Sequence, residues 1–389
     1  MTTKTSGFVA PGFETVARAF ENTFDGNPTM GAALAIRVDG HPVVDLWGGV
    51  ADERDGSAWQ EDTASVVFSC TKGLVSILAA RLAQEGRLDY DAPVTKYWPE
   101  FGQAGKEGIK VRHLLSHQSG LSAPRKDLSV EDILDWDTVT AALARQEPLW
   151  TPGEGYAYHA ITHGWLAGQV IRSVTGKTVG EYFADLVATP LNADAWIGIP
   201  ASVTSRVAHQ QVGTTLAALV ADQATTRDPK KVDWLDRAMT LGGALTPELI
   251  TTDGGFNDPR LQKAEIPGAG GIATARALAA IWSATVTETD GVRLLDEAMI
   301  ERATTLQTEG TPVFTATPPF PRWGMGFQLD SAARRYLTAD GFGHDGAGGQ
   351  VAFAEPGLNV GFAFTTNLME ALDPRGTEIV DELRKVLIP

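Results

Sequence analysis

The sequence predicts an α+β fold: an antiparallel sheet assembled from both chain ends and flanked by helices, with a mainly helical domain inserted between its halves. Three observations lead there. Strand-like segments lie near the start, at Ala32 to Val38 and His41 to Trp47, and again near the end, at Gln350 to Ala354 and Asn359 to Thr365. Between them, from about 110 to 260, the apolar periodicity is mostly helical. Strands at the two termini need edges to pair with, and pairing them with one another leaves the fewest open edges. The expected division is a discontinuous sheet domain, residues 1–70 and 266–389, and a mainly helical domain, residues 71–265, with the binding cleft between them.

The first element is an amphipathic helix over 11–24, with Phe13, Val16 and Phe20 at helical spacing. Asp39-Gly40 then separates the two early strands, a two-residue hairpin signal. After Asp62-Thr63, the segment Ser69 to Glu85 carries Leu74, Ile77, Leu78 and Leu82 and stops at Gly86, which suits a buried helix with a glycine cap and Ser69 at its N-terminus. Further helices are expected over 110–117, 129–145, 160–175 and 178–188, separated by Pro and Gly. Residues 220–265 are the least regular and are expected to form a loop over the cleft. The turn Glu355-Pro356-Gly357 joins the late strands, and an amphipathic helix at about 374–387 closes the chain.

Length and composition exclude several classes. With 389 residues, 43% hydrophobic and 21% charged, the chain can bury an extensive core, and it has no apolar run of membrane-spanning length. A net charge of -16 without a basic stripe argues against nucleic acid and anionic lipid as partners. Met1 to Gly12 has a lysine but no signal-like apolar stretch, and the lone Cys70 excludes an intrachain disulfide, so a cytoplasmic location is expected unless a leader has been removed. The sequence leaves the oligomeric state open and calls for no cofactor.

Candidate chemistry starts at Ser69-Cys70-Thr71-Lys72. On a helix, a three-residue step puts the lysine amine on the same side as the serine hydroxyl one turn earlier, and the helix N-terminus offers backbone N–H groups beside it. The amine acts as a base only if burial or a nearby cation lowers its pKa. The alternative is an N-capping serine followed by an exposed lysine. Context comes from the turn-rich Leu149-Trp150-Thr151-Pro152-Gly153 and then Tyr156-Ala157-Tyr158-His159 before a helix. A tyrosine there can present its phenol to a cleft, where positive charge on Lys72 would favour phenolate; the alternative is an aromatic packing residue. Tyr158 is the candidate, with Tyr156 as fallback. The third segment, Gly343-His344-Asp345-Gly346-Ala347-Gly348-Gly349, stands before a strand, where glycines let the backbone approach a substrate and donate an N–H, or else form an ordinary hairpin turn.

Taken together, Ser69-x-x-Lys72, Tyr158 opening a helix and a Gly-rich turn before a late strand resemble the penicillin-binding-protein and class C β-lactamase superfamily. Supporting segments span most of the chain: Asp45-Leu46-Trp47-Gly48-Gly49, Leu114 to Leu121, Pro267 to Ile272, and Trp323-Gly324-Met325-Gly326-Phe327. Two departures stand out. The β-lactamase Tyr-x-Asn has Ala160 at its third position, and Lys-Thr-Gly is replaced by His344-Asp345-Gly346, so groups expected to hold a β-lactam's amide and carboxylate are missing. Together with Tyr158-His159 and Trp165, this looks like the family VIII carboxylesterases. The resemblance implies a β-lactamase-like fold and hydrolysis of short-acyl carboxylic esters through an acyl-enzyme. Ser69 would be the nucleophile, Lys72 and Tyr158 would share the proton traffic, and the N–H groups of Ser69 and Ala347 would form the oxyanion hole. His344, Gly346, Trp323 and Ala160 would line the substrate site, with His344 hydrogen-bonding an ester oxygen. Rival readings are a β-lactamase or D-alanyl-D-alanine peptidase, an acyltransferase, and a non-catalytic ligand-binding relative.

Other motifs carry less. His113/His117 and His159/His163 are each four apart but lack the Glu of His-Glu-x-x-His, so they are expected to be cleft-edge or core histidines rather than metal ligands. No Gly-x-Ser-x-Gly, Walker or dinucleotide fingerprint occurs in a strand-to-helix setting. Cys70, about 100° round the helix from Ser69, is expected to face the core.

Overall fold

The computed structural model describes residues 4–228, 230–314 and 316–388. Both chain ends build the main antiparallel sheet, as the sequence predicts. Its strand order is Thr5–Val9, His41–Asp52, Gly31–Val38, Val360–Thr366, Val351–Glu355, Phe342–Gly343, Gln328–Leu329 and Arg322–Trp323, with Ser57–Ala58 pairing His41–Asp52 off this path. The N- and C-terminal halves meet where Ala32 to Val38 run antiparallel to Thr366 to Val360. The hairpin between the two early strands turns at Asp39 and Gly40, with φ of 50° and 79°, the left-handed pair that a two-residue primed turn requires. The edge strand Thr5–Val9 lies in the segment that, from sequence, only lacked a signal peptide.

Strand alternation divides the sheet's two faces by side-chain size. Ala32, Leu34, Ile36, Val351, Phe353, Phe362 and Phe364 join Val16, Phe20, Ile379 and Leu383 from the helices Glu14–Asn22 and Arg375–Leu387. Ala33, Ala35, Ala352, Ala354 and Ala363 face the other way, beneath the helix Ala275–Val286. Small residues there let that helix sit close: a Cβ at Gly361 would come within 2.3 Å of the Ala279 carbonyl oxygen. Every residue of Ala275–Val286 except Arg276 is buried, so it has no polar stripe, and the sequence reading contains no helix there.

The middle of the chain is helical, with Val111–Leu115, Val130–Leu134, Trp136–Arg145, Thr162–Thr175 and Val179–Phe183 as its main helices. The single helix expected over 129–145 is broken at Asp135, whose extended backbone and side chain cap the second piece by accepting from the Asp137 N–H. Residues 220–265 are less irregular than expected, containing the end of the helix Thr214–Thr226 and the helices Trp234–Met239 and Pro259–Lys263. A small sheet of Ser65–Phe68, Gly271–Ala273 and Ala195–Ile197 ties the early, middle and late segments together and delivers the chain to Ser69. Among the described residues no helix is long and apolar enough to cross a membrane.

Candidate active site

Ser69 stands at the junction of the strand Ser65–Phe68 and the helix Cys70–Gln84. Phe68, just before it, has φ of 44°, an uncommon conformation for a bulky side chain, held because Thr71 donates its hydroxyl to the Phe68 carbonyl while accepting from the Gly271 N–H at 2.8 Å. Ser69 is the N-cap residue, yet its hydroxyl makes no capping bond. It lies 2.8 Å from the Lys72 amine instead. The alternative of a capping serine followed by an exposed lysine therefore does not describe this helix.

Lys72 is fully buried, and its amine donates to the Gly268 carbonyl at 2.6 Å. No carboxylate pairs with it among the described residues. Desolvation therefore drives its pKa well below the ordinary lysine value and favours the neutral amine, whose lone pair can take a proton from Ser69. Glycines bring the accepting carbonyl this close: a Cβ at Gly268 would meet the Ile161 carbonyl oxygen at 2.3 Å, and one at Gly164 would meet the Gly268 nitrogen at 2.0 Å.

Tyr158 precedes the helix Thr162–Thr175. Its ring is stacked on Trp323 with centroids 5.4 Å apart, meets His117 edge-on at 5.0 Å, and lies 5.0 Å from the Lys72 amine. Burial pushes its phenol above the usual tyrosine value, and a hydrogen bond to Ser69 only partly opposes this. Burial thus works against the phenolate that a nearby cation was expected to favour, and the Tyr158 phenol is shifted towards its protonated form.

The Gly-rich turn reaches the same place from the sheet. Gly346 lies against the strand leading into Ser69, since a Cβ there would come within 2.2 Å of the Val67 carbonyl oxygen. Ala347 follows, opening the turn Ala347–Gly349. His344 is 2% exposed, with its Nδ1 2.7 Å from the Asp345 carbonyl. Only Nδ1–H can donate to that oxygen, which leaves a lone pair on Nε2. Burial lowers the His344 pKa to about 3. The ring therefore has no donor for an ester oxygen, correcting the role expected of it. Trp323 is buried as the stacking partner of Tyr158, whereas Ala160 packs into the core, 2% exposed, and does not line the cavity beside Tyr158.

Several groups at the site were not legible as such. The Pro267 to Ile272 and Leu114 to Leu121 segments were part of the sequence pattern, but neither the Gly268 carbonyl nor His117 had an assigned role. A cavity of about 130 Å³ beside Tyr158 is lined by Ser122, Tyr156, Trp234, Leu235 and Phe314 among others, drawn from segments with no common motif. His117, His159 and His163 are buried together, with ring centroids 5.2 to 5.5 Å from His117. No group of three or more His, Cys, Asp or Glu among the described residues is arranged to hold a metal ion. Cys70 faces the core, and burial raises its thiol pKa well above the usual value. Cys70→Ala is expected to keep kcat/KM for an ester within about threefold, because the thiol faces the core and touches none of the reacting atoms, so that its loss is felt in stability rather than in turnover; a folded but inactive variant would contradict that.

Comparison with known proteins shows the family. A family model described as Beta-lactamase matches residues 16–384. The chain is 36% identical over 366 residues to "Esterase/beta-lactamase LipL" of Mycobacterium tuberculosis, covering 93% of this chain and 82% of that protein. It superposes on a family VIII carboxylesterase with a TM-score of 0.88 at 34% identity, covering 99% of this chain and 100% of the other. A penicillin-binding protein homologue from Caulobacter crescentus gives the same score, identity and coverage. The chain belongs to the Beta-lactamase family. Within it, the chain is a serine hydrolase whose relatives include carboxylesterases.

Proposed function

We propose that this protein hydrolyses short-acyl, uncharged carboxylic esters through an acyl-enzyme on Ser69. The observation that carries the reading is the buried Lys72 amine, with no carboxylate partner among the described residues, 2.8 Å from the Ser69 hydroxyl. The amine takes the Ser69 proton as Oγ attacks the ester carbonyl, and the N–H groups of Ser69 and Ala347 stabilise the oxyanion. Tyr158 then gives its phenolic proton to the departing alkoxide and recovers one from the Lys72 ammonium. Water repeats the sequence in reverse order, releasing the acid and restoring Ser69.

Charge and volume support the choice of ester. Lys72 and His344 are both driven towards their neutral forms by burial, and Arg334 is committed to Asp345 at 2.9 Å, so none of these three offers a free cation to a substrate carboxylate. The cavity of about 130 Å³ beside Tyr158 is mostly apolar and close to the ~150 Å³ of an engineered cavity that holds benzene, the scale of a short acyl chain or a phenyl group. The relatives named as esterases point the same way. The test compares kcat/KM for p-nitrophenyl butyrate with that for nitrocefin, and extends the acyl chain in Phe314→Ala. The ester is expected to be favoured by at least about 10²-fold, the scale that two missing polar contacts produce. Phe314→Ala should shift the optimum towards longer acyl groups. A preference for nitrocefin would overturn the ester reading.

A further inference from the structure

We propose that His117 is a positioning residue that sets the place of the Tyr158 phenol by clamping the backbone on both sides of it. The proposal rests on the reading of Tyr158 as the proton carrier. Ala157 and Tyr158's other neighbour, His159, each donate a backbone N–H to His117. The Ala157 N–H reaches the His117 carbonyl at 3.2 Å, and the His159 N–H reaches the His117 Nδ1 at 3.2 Å. Tyr158 is thus suspended between two hydrogen bonds that end on one residue 41 positions away. The same imidazole presses edge-on against the Tyr158 ring, centroids 5.0 Å apart, opposing motion of the ring as well as of the backbone.

His117 is itself held. It is fully buried and its φ is 65°, a left-handed conformation in which Asn, Asp and His are the commonest residues after glycine. The flanking residues stitch the same turn to the Tyr158 segment and beyond: Gly153 N–H donates to the Gln118 carbonyl at 3.0 Å, and the Thr308 hydroxyl donates to the Ser116 carbonyl at 3.2 Å. The second partner segment is fixed independently. His159 Nδ1 lies 2.7 Å from the Ala157 carbonyl, so Nδ1 carries the proton and Nε2 accepts from the Ser119 hydroxyl at 2.8 Å. Ser119, two residues beyond His117, therefore anchors the far side of the Tyr158 loop. Because His117 Nδ1 accepts an N–H, its own proton sits on Nε2, which has no hydrogen-bond partner among the described residues. The clamp needs the acceptor nitrogen and the carbonyl, not a charge: burial holds the His117 pKa well below the ordinary histidine value.

The clamp explains why a tyrosine in a loop can act with the accuracy of one on a helix. Proton transfer falls steeply when donor and acceptor are misplaced by even 1 Å. Of the residues that line the cavity, Ala157 and Tyr158 are the ones the clamp itself holds, so loss of His117 acts chiefly through the place of the phenol, while Trp234, Leu235 and Phe314 form the cavity wall from other segments.

The experiment measures kcat and KM for p-nitrophenyl butyrate in His117→Leu and His117→Asn, each with and without Tyr158→Phe. Leu removes the Nδ1 acceptor, while Asn restores an acceptor oxygen and tolerates positive φ. His117→Leu is expected to lower kcat about 10²-fold with KM within about threefold, and His117→Asn to recover at least tenfold of that loss. In the Tyr158→Phe background His117→Leu should cost little more, because the group it positions is gone. Equal losses in the two His117 variants, a loss confined to KM, or a full further loss on top of Tyr158→Phe overturns the clamp. If His117→Leu does not fold, His117→Asn decides: kcat within tenfold of the parent supports the clamp, and a 10²-fold loss overturns it. Undiminished activity in Tyr158→Phe alone would instead remove the proton-carrier reading, and so is distinguishable from failure of the clamp.

Discussion

Replacing Ser69 with alanine is expected to lower ester turnover by about 10⁴-fold or more, the scale seen when a nucleophile is removed from an acyl-transfer site, with the fold unchanged. The hydroxyl makes no helix-capping bond, and its partner, the Lys72 amine, keeps the Gly268 carbonyl at 2.6 Å once the hydroxyl is gone. The substitution therefore removes the attacking atom without opening a cavity in the core. Turnover of p-nitrophenyl butyrate, the thermal unfolding midpoint and mass spectrometry after a fluorophosphonate together check it. The parent should gain one adduct on Ser69 and the variant none. An active, folded Ser69→Ala protein would sink the acyl-enzyme mechanism.

Lys72→Ala and Tyr158→Phe are each expected to cost about 10³-fold or more in kcat, and the double variant scarcely more than the worse single one, since groups acting as one unit lose their effect together. The amine lies beside Ser69 and 5.0 Å from the Tyr158 ring, so either loss interrupts the same proton path. Multiplicative losses in the double variant would show independent roles. Lys72 is also expected to set the pH dependence. Its folded pKa lies well below the unfolded value, so kcat/KM falls as pH drops through that lowered value and the amine gains a proton. Stability moves in the same direction. Between the lowered folded pKa and the unfolded value of roughly 10.4, the unfolded chain holds the proton that the folded one rejects, so the Lys72 contribution worsens as pH falls through that window. Lys72→Met should flatten the stability slope there; an unchanged slope in denaturation curves would argue that the amine is not depressed.

Much of the site was legible because its parts are locally encoded. Ser69 and Lys72 sit three residues apart at a helix start, and helix geometry alone brings their side chains to one side. Tyr158 was readable as a loop tyrosine before an apolar helix, and the glycines around Ala347 as a turn before a strand. Protonation states were not readable in this way. Tyr158 looked like a phenolate partner of a cationic lysine, and His344 like a donor to an ester oxygen. Burial shifts Lys72 towards its neutral form and Tyr158 towards its protonated form, and the carbonyl of the neighbouring Asp345 fixes the His344 tautomer the other way. The breadth of the secondary-structure reading failed for a related reason. Ala275–Val286 is buried on all sides and shows no polar stripe, because the sheet on one side and the rest of the core on the other remove the solvent face that periodicity detects.

By itself, then, the sequence determined the α+β class and the pairing of both chain ends in one antiparallel sheet, and it singled out Ser69, Lys72 and Tyr158 as candidates. The strands, helices and the Ser69/Lys72 pair depend on patterns two to four residues long, which backbone geometry converts directly into a face or a turn, whereas Tyr158 was singled out by the order of segments that the family resemblance carries. Only the tertiary structure decided the rest: the Gly268 carbonyl at Lys72, the cavity bounded by Trp234 and Phe314, and the two hydrogen bonds by which His117 holds the loop of Tyr158. Those contacts join residues 196 and 42 positions apart in the cases of Lys72 with Gly268 and His117 with His159. Their energies come from desolvation and from backbone groups that every residue carries, so no side-chain pattern in the sequence marks them.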